Sequence, residues 1–376
     1  MLRSLSVPML PLLLALATAV GAQDSAPVYQ QQKSASAFHI EAFTRQEWTD
    51  QTTFVSDNRR VYRARPRAEF TSKVFQIGVG GDFIYSSEHN NDIPPGQTTL
   101  PLLRDNFIYK DARLDLAWVK LSPFHLLSAQ GGRFFMPVRF TEMIWDRDLR
   151  VQGGSATVDF GSFGSIQKFA VTGVYSRGSH VLPAEGAFDF SDRDVIWIGS
   201  ATVTFSAGAK DRVELVGSYL KFDDLRFVAT PLRRQNTRVG GVLVRPYEVL
   251  DFVARYHGEG RVTTTLVADY SWNTAVDTDN RGLWLAMILG STQTARGSLE
   301  YTYATVDKDA TLAAYSTDDF IWGTGWSGHR LDLAFRMSDR ASSHLIGQLQ
   351  KFKDSPLEVD RDDYLKRARI EIRFAY

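Results

Sequence analysis

Tyr364-Leu365-Lys366-Arg367-Ala368-Arg369-Ile370-Glu371-Ile372-Arg373-Phe374-Ala375-Tyr376 is the stretch on which the fold turns. An extended strand presents successive side chains to opposite sides. One face therefore holds Ala368, Ile370, Ile372, Phe374 and Tyr376, and the other Arg367, Arg369, Glu371 and Arg373. A sheet in a water-soluble protein also alternates, with one face packed and one wet. The aromatic residue reached in mid-pattern points instead to an all-β fold, a transmembrane antiparallel β-barrel. There the apolar face meets lipid, aromatics sit at the interface and the inner face lines water.

The other end of the sequence is consistent with that reading. Met1-Leu2-Arg3 is followed by an apolar run from Val7 through Val20 and the small residues Gly21-Ala22. A basic start, a short apolar core and a small-residue end predict a secretory signal peptide over 1–22. The run is shorter than the ~20 residues a membrane anchor needs. No later apolar run is long enough to cross as a helix, so residence in a membrane requires a closed barrel that satisfies its own backbone. Residues 23–36 are polar and patternless, a periplasmic lead-in, and 37–376 form one barrel domain. The sequence contains no cysteine, which excludes disulfides, and it balances 43 basic against 43 acidic residues. Zero net charge implies no general attraction to nucleic acid.

Alternation predicts strands near 37–48, 60–71, 73–86, 108–121, 125–137, 155–160, 165–176, 192–206, 211–222, 237–246, 248–257, 260–272, 281–290, 295–306, 328–338, 342–352 and 364–376. Connections such as 71–73, 207–212 and 338–342 are turn-like. Those at 87–107, 138–154, 177–191, 223–236, 307–327 and 353–363 are long and polar. Short periplasmic turns opposite long extracellular loops are the bacterial outer-membrane pattern. Seventeen segments break the even strand number such a barrel needs. The excess lies between Thr157 and Asn273, either because 155–160 belongs to a loop or because two segments of 237–272 are one. The expected count is about sixteen, with fourteen and eighteen open. A barrel of that size encloses water.

Closure makes 37–48, 60–71 and 364–376 neighbours. Their inward faces bring Arg45, Arg63, Arg65, Arg67, Arg367, Arg369 and Arg373 onto one sector, with Glu41, Glu47 and Glu371 among them. Such a sector would raise the local anion concentration in a pore. The plainer alternative is that Arg and Glu solvate the lumen and pair with each other. The stretch Arg139-Phe140-Thr141-Glu142-Met143-Ile144-Trp145-Asp146-Arg147-Asp148-Leu149-Arg150 mixes apolar anchors with charge. Folded into the lumen it would act as a constriction loop, carrying Arg139, Glu142, Asp146, Arg147, Asp148 and Arg150, with its acids facing the arginine sector. The alternative is an ordinary external loop.

Phe320, Ile321, Trp322 and Trp326 read as an interfacial girdle more simply than as a sugar-stacking platform. Enzymatic signals are weak: no G-x-S-x-G occurs and the seven histidines show no metal spacing. Asp277 to Asn280 and Asp318-Asp319 carry Ca²⁺-type donors, but isolated acidic turns are usually solvated. No cofactor and no structural metal is expected.

Gly132-Arg133-Phe134-Phe135-Met136-Pro137 resembles the Gly-Arg-Phe and downstream Pro element of the phosphate-selective porin relatives. Ser298 to Tyr303, Ser316 to Phe320, Gly323, Gly325 and Gly328-His329, with the strands that follow, resemble the Putative porin family of Gram-negative outer membranes. That resemblance implies passive diffusion of small hydrophilic solutes through a lipid-embedded barrel, often a homotrimer, with no catalysis. The lysine-rich constriction of phosphate-selective relatives has no counterpart here, so phosphate specificity is not carried over. Anion preference would rest on the arginine sector. The competing classes are a barrel hydrolase and a structural or adhesive barrel with a plugged lumen.

Overall fold

The structure, a computed structural model, describes residues 35–51, 54–87, 111–178, 193–208, 210–228, 235–317, 319–320, 323–353 and 364–376. The predicted signal peptide, most of the lead-in and several long loops lie outside the described residues. Its strands are β1 (Ala35–Gln51), β2 (Phe54–Thr71), β3 (Phe75–Ser86), β4 (Asp111–Phe124), β5 (Leu127–Phe134) and β6 (Val151–Phe163). They continue as β7 (Ile166–Arg177), β8 (Val195–Ser206), β9 (Arg212–Asp223), β10 (Arg238–Val239), β11 (Val242–Leu243) and β12 (Tyr247–Glu259). The last six are β13 (Thr263–Asn273), β14 (Arg281–Gly290), β15 (Gly297–Val306), β16 (Trp326–Ser338), β17 (Ala341–Phe352) and β18 (Leu365–Ala375).

Sixteen of these strands form one closed antiparallel barrel in chain order, with β9 pairing to β12 and β18 returning to β1. Closure is set in register by Arg45 opposite Glu371 and Glu47 opposite Arg369. Ile40 and Tyr376 exchange both backbone hydrogen bonds at 2.9–3.0 Å. A cylinder of this kind leaves no unpaired edge, which hydrocarbon would penalise.

The surplus segment of the sequence reading is 237–246. It forms the separate hairpin of β10 and β11 and turns on Gly240 and Gly241, whose φ values of 58° and 81° suit glycine. The stretch 155–160 is a barrel strand, part of β6, and not loop. Two-residue arms carrying Val and Leu satisfy a short alternation test, but they are too short to span anything.

Outward positions are apolar and exposed: Phe252, Leu331, Leu345 and Ile370 are 42–52 % accessible. Inward positions are covered, and on β18 they are charged: Arg367, Arg369 and Glu371. Strands meet at short turns on one end, such as 72–74, 125–126, 164–165, 260–262 and 339–340. The opposite end carries the longer connections. Part of the barrel interior is filled from that end. Segment 135–150 between β5 and β6 and segment 307–325 between β15 and β16 place Met143, Ile144, Trp145, Leu149, Leu312, Ala314, Tyr315 and Phe320 in a buried apolar cluster. Inward residues of the wall complete it, among them Val174, Ile196, Val216, Leu220, Phe222, Val249, Trp284 and Val306.

Candidate functional site

Segment 135–150 leaves the wall after Phe134 and folds into two tight turns. Ile144 and Trp145 donate to the Thr141 carbonyl, and Leu149 donates to that of Asp146 at 3.0 Å. Its apolar side anchors it. The Trp145 ring lies 5.2 Å from that of Tyr315. Gly282 on β14 gives Met143 room: a Cβ there would stand 2.7 Å from the Met143 Sδ. The two inserted segments are joined along their backbones, the Asp146 amide donating to Tyr315 O at 2.7 Å and the Thr317 amide to Glu142 O at 2.8 Å. Tyr315 in turn donates its hydroxyl to Asp194 at 2.6 Å.

The polar side of the insertions meets the arginine sector. Asp148 accepts from Arg63 Nη1 at 2.8 Å and from Arg65 Nη2 at 2.5 Å. Arg63 also grips Asp82 on β3 at 2.7 Å, and Arg113 on β4 reaches the same carboxylate at 2.8 Å. Asp319, from the second insertion, lies 3.2 Å from Arg45 Nη1 and 3.0 Å from Arg369 Nη2, and its carbonyl accepts from Arg367 at 3.0 Å. On the wall, Arg45 pairs with Glu371 at 2.6 Å, Arg59 and Arg369 both pair with Glu47, and Arg373 pairs with Glu371 at 2.8 Å. Arg67 pairs with Glu41 at 3.0 Å and lies 5.7 Å from the Phe135 ring centroid.

The loop residues named from sequence thus divide. Arg147 and Asp148 reach the arginine sector, Arg147 also lying 3.0 Å from Glu142 and 3.7 Å from Asp319. Glu142 faces Arg330 on β16 at 2.8 Å. Arg139 points to the other wall and pairs with Glu214 on β9 at 2.9 Å, while Arg150 is buried against Asp115 on β4 at 2.9 Å. Asp146 is buried and accepts the Asp148 amide at 2.7 Å.

Electrostatics separate these acids. Burial pushes the Asp146 carboxyl up to about 7, and the neighbouring Asp148 charge adds to the rise. Burial also opposes the charge on Asp148, but Arg63 and Arg65 hold that carboxyl well below the usual range. At Asp319 the same burial is overcome by Arg369, Arg45 and Arg147. Burial lowers the Arg150 guanidinium to about 10, with Arg65 adding.

Asp82, Asp115, Arg113 and Arg330 as partners, and the inward fold of the segment between β15 and β16, were not found by sequence reasoning. Strand alternation does place Asp82 on the inward side of β3. Which arginine it meets depends on a register only the closed barrel supplies. Phe320 and Trp326, read as girdle, are fully buried inside; Phe320 packs 5.6 Å from the Trp284 ring. Ile321, Trp322 and Asp318 lie outside the described residues. Asp319 serves the arginines, and Asp279 lies 3.3 Å from Lys308. Among the described residues no group of three or more His, Cys, Asp or Glu is placed to hold a metal ion.

Together these features leave a cavity of about 400 Å³ between the inserted loops and the short-turn end of the barrel. Arg45, Arg63, Arg65, Arg147, Asp148, Asp319, Glu371 and Arg373 line it, with turn residues Gln293 and Asp339 at its mouth. A sixteen-strand lipid-facing barrel with loops folded across a charged lumen defines the class of outer-membrane porins. Residues 21–239 match the family described as Putative porin, and the chain belongs to that family. The C-terminal residues that carry the resemblance in sequence lie beyond the matched span. Among solved structures, Pseudomonas putida OprB at high pH is similar over 91 % of this chain and 94 % of its own, with a TM-score of 0.60 and 12 % identity. Salmonella typhi OmpF in complex with daunomycin is similar over 91 % of this chain and 97 % of its own, with a TM-score of 0.53 and 13 % identity. At such identities the likeness is one of fold. No protein with a curated description matches the chain. The protein is therefore an outer-membrane porin of the Gram-negative type.

Proposed function

We propose that the barrel passes small hydrophilic solutes by passive diffusion, without catalysis, and that it favours anions. The observation carrying the preference is an asymmetry of exposure within the ion pairs. The carboxylates are sunk: side-chain accessibility is 0 % for Asp82, 1 % for Glu371, 8 % for Asp319 and 11 % for Asp148. Among their cationic partners Arg45, Arg63 and Arg369 are equally sunk, but Arg147 at 52 %, Arg373 at 32 % and Arg65 at 17 % reach further into the lumen. A passing ion meets guanidinium before carboxylate, and arginine does not deprotonate at working pH. Glu41 and Asp339, exposed near the short-turn end, line the same cavity and temper the field.

The test is the reversal potential of the protein in a planar bilayer under a salt gradient. Anion selectivity is expected, reduced in Arg147→Gln; cation selectivity would end the claim. A second reading, a barrel whose lumen is plugged, is favoured by the apolar insertions that fill much of the interior, and it predicts no conductance. Assembly as a homotrimer is part of the same proposal and rests on the family resemblance; the mass of the detergent-solubilised protein checks it.

A further inference from the structure

On the outward face near the long-loop end, the pairing of β1, β18, β17, β16 and β15 aligns Trp48, Ala368, Gly347, Leu331 and Tyr301 in one row. The two central positions carry almost no side chain, and a Cβ built on Gly347 meets nothing within 4 Å. The result is a groove of about 660 Å³, walled by Trp48 on one side and by Leu331 and Tyr301 on the other. The next row toward the long-loop end holds Asp50, Lys366, Leu349 and His329, whose Nδ1 lies 2.8 Å from Tyr301 Oη. Above it stands Lys351, its ammonium 5.9 Å from the Tyr364 ring centroid. Arg60 flanks the Trp48 side, its guanidinium donating to Gln46 at 3.0 Å. Lys366 and Lys351 against Asp50 thus rim the long-loop end of an otherwise apolar slot, which complements a molecule apolar along its length and anionic at one end.

We propose that this groove is a binding site for an anionic lipid of the outer leaflet. One acyl chain lies over Ala368 and Gly347, and the phosphate is held by Lys366 and Lys351. The proposal needs only the outward orientation of these faces, so it stands or falls separately from conduction.

Native mass spectrometry of the purified protein, incubated with phosphatidylglycerol or phosphatidylcholine, tests it. The expected result is retention of phosphatidylglycerol over phosphatidylcholine. Lys366→Gln should weaken that retention about fivefold, since one lysine at a membrane surface contributes roughly that factor. Gly347→Phe, which fills the slot where there is space for it, should abolish retention, while unchanged heat-modifiability shows that the barrel has formed. Equal retention of both lipids by the native protein, or undiminished phosphatidylglycerol on Gly347→Phe, would overturn the proposal. A Gly347→Phe protein that loses its oligomeric mass yet keeps its lipid would assign the groove to contact between copies and overturn it equally.

Discussion

The two halves of the lumen are built on different physics. From β6 round to β15 the wall presents Val174, Ile196, Leu220, Val249 and Trp284 inward, and the inserted segments bury Trp145 and Tyr315 against them. On β1 to β3 and β16 to β18 the wall presents arginines and carboxylates, and the same segments meet it with Asp148 and Asp319. The apolar half is held chiefly by area, with single polar ties such as Tyr315 to Asp194 and Arg139 to Glu214. The ionic half is held by reciprocal pairs, in which each buried charge depends on one or two named neighbours. The first half fixes where the loops sit, and the second fixes which charges a solute meets.

Breaking the apolar half should have the largest effect. Trp145→Ala removes a ring that is 5 % accessible, and truncation of a buried Trp costs about 3–5 kcal/mol. The loop, not the barrel, should absorb most of that loss. Single-channel conductance should rise and protease should cleave within 135–150, with the barrel still resistant to heat in gels. The ionic half should respond less in stability and more in selectivity. Asp148→Asn weakens charge-assisted bonds worth roughly 1.5–3 kcal/mol each to Arg63 and Arg65. It also leaves those two guanidiniums less compensated, so the reversal potential should move further toward anions. A move toward cations would show that Asp148 does not face the conducting path.

The same contrast explains what was legible in the sequence. Alternation is a property of each strand alone, so the inward placement of Arg63, Arg369 and Glu371 could be read from β2 and β18 without neighbours. Closure supplied the arginine sector, because the first and last strands of a barrel must pair. What periodicity cannot report is whether a connection folds back inside. Ile144-Trp145 gave that signal for 135–150, as apolar anchors with no reason to face water outside. Phe320 and Trp326 gave an equal signal and were assigned to the interface, since aromatics suit both places. The hairpin at 237–246 shows the opposite error, with alternation present over a length that spans nothing. Partners such as Asp82 for Arg63 were beyond reach, because they depend on register across strands.

Acidity separates the halves in a testable direction. The Asp146 carboxyl is pushed up to about 7, so the folded loop binds its proton more tightly than the unfolded chain does. The stability it contributes is complete below the ordinary carboxylate range and is lost as pH rises toward 7. Asp148 and Asp319, held low by arginine, behave oppositely and lose their contribution only in strong acid. Loop 135–150 should therefore be cleaved faster by protease at about pH 8 than at about pH 5. Asp146→Asn should flatten that dependence; a profile unchanged by the substitution would place the titrating group elsewhere.

Salt gives the smallest and sharpest distinction. Raising ionic strength from about 0.1 to about 1 M shortens the screening length from roughly 10 to 3 Å. Pairs below the surface, such as Arg63 with Asp82 at 2.7 Å, lie inside even the shorter length and should hold. The half-exposed Arg147 with Glu142, 3.0 Å apart, is worth no more than about 1 kcal/mol and should lose part of it. Conductance corrected for bulk conductivity should then change little, while anion preference declines, because the exposed guanidinium is the charge that solvent ions can shield. Equal preference at both salt concentrations would mean that the selecting charges are the buried ones, and would shift the filter from Arg147 to the wall behind it.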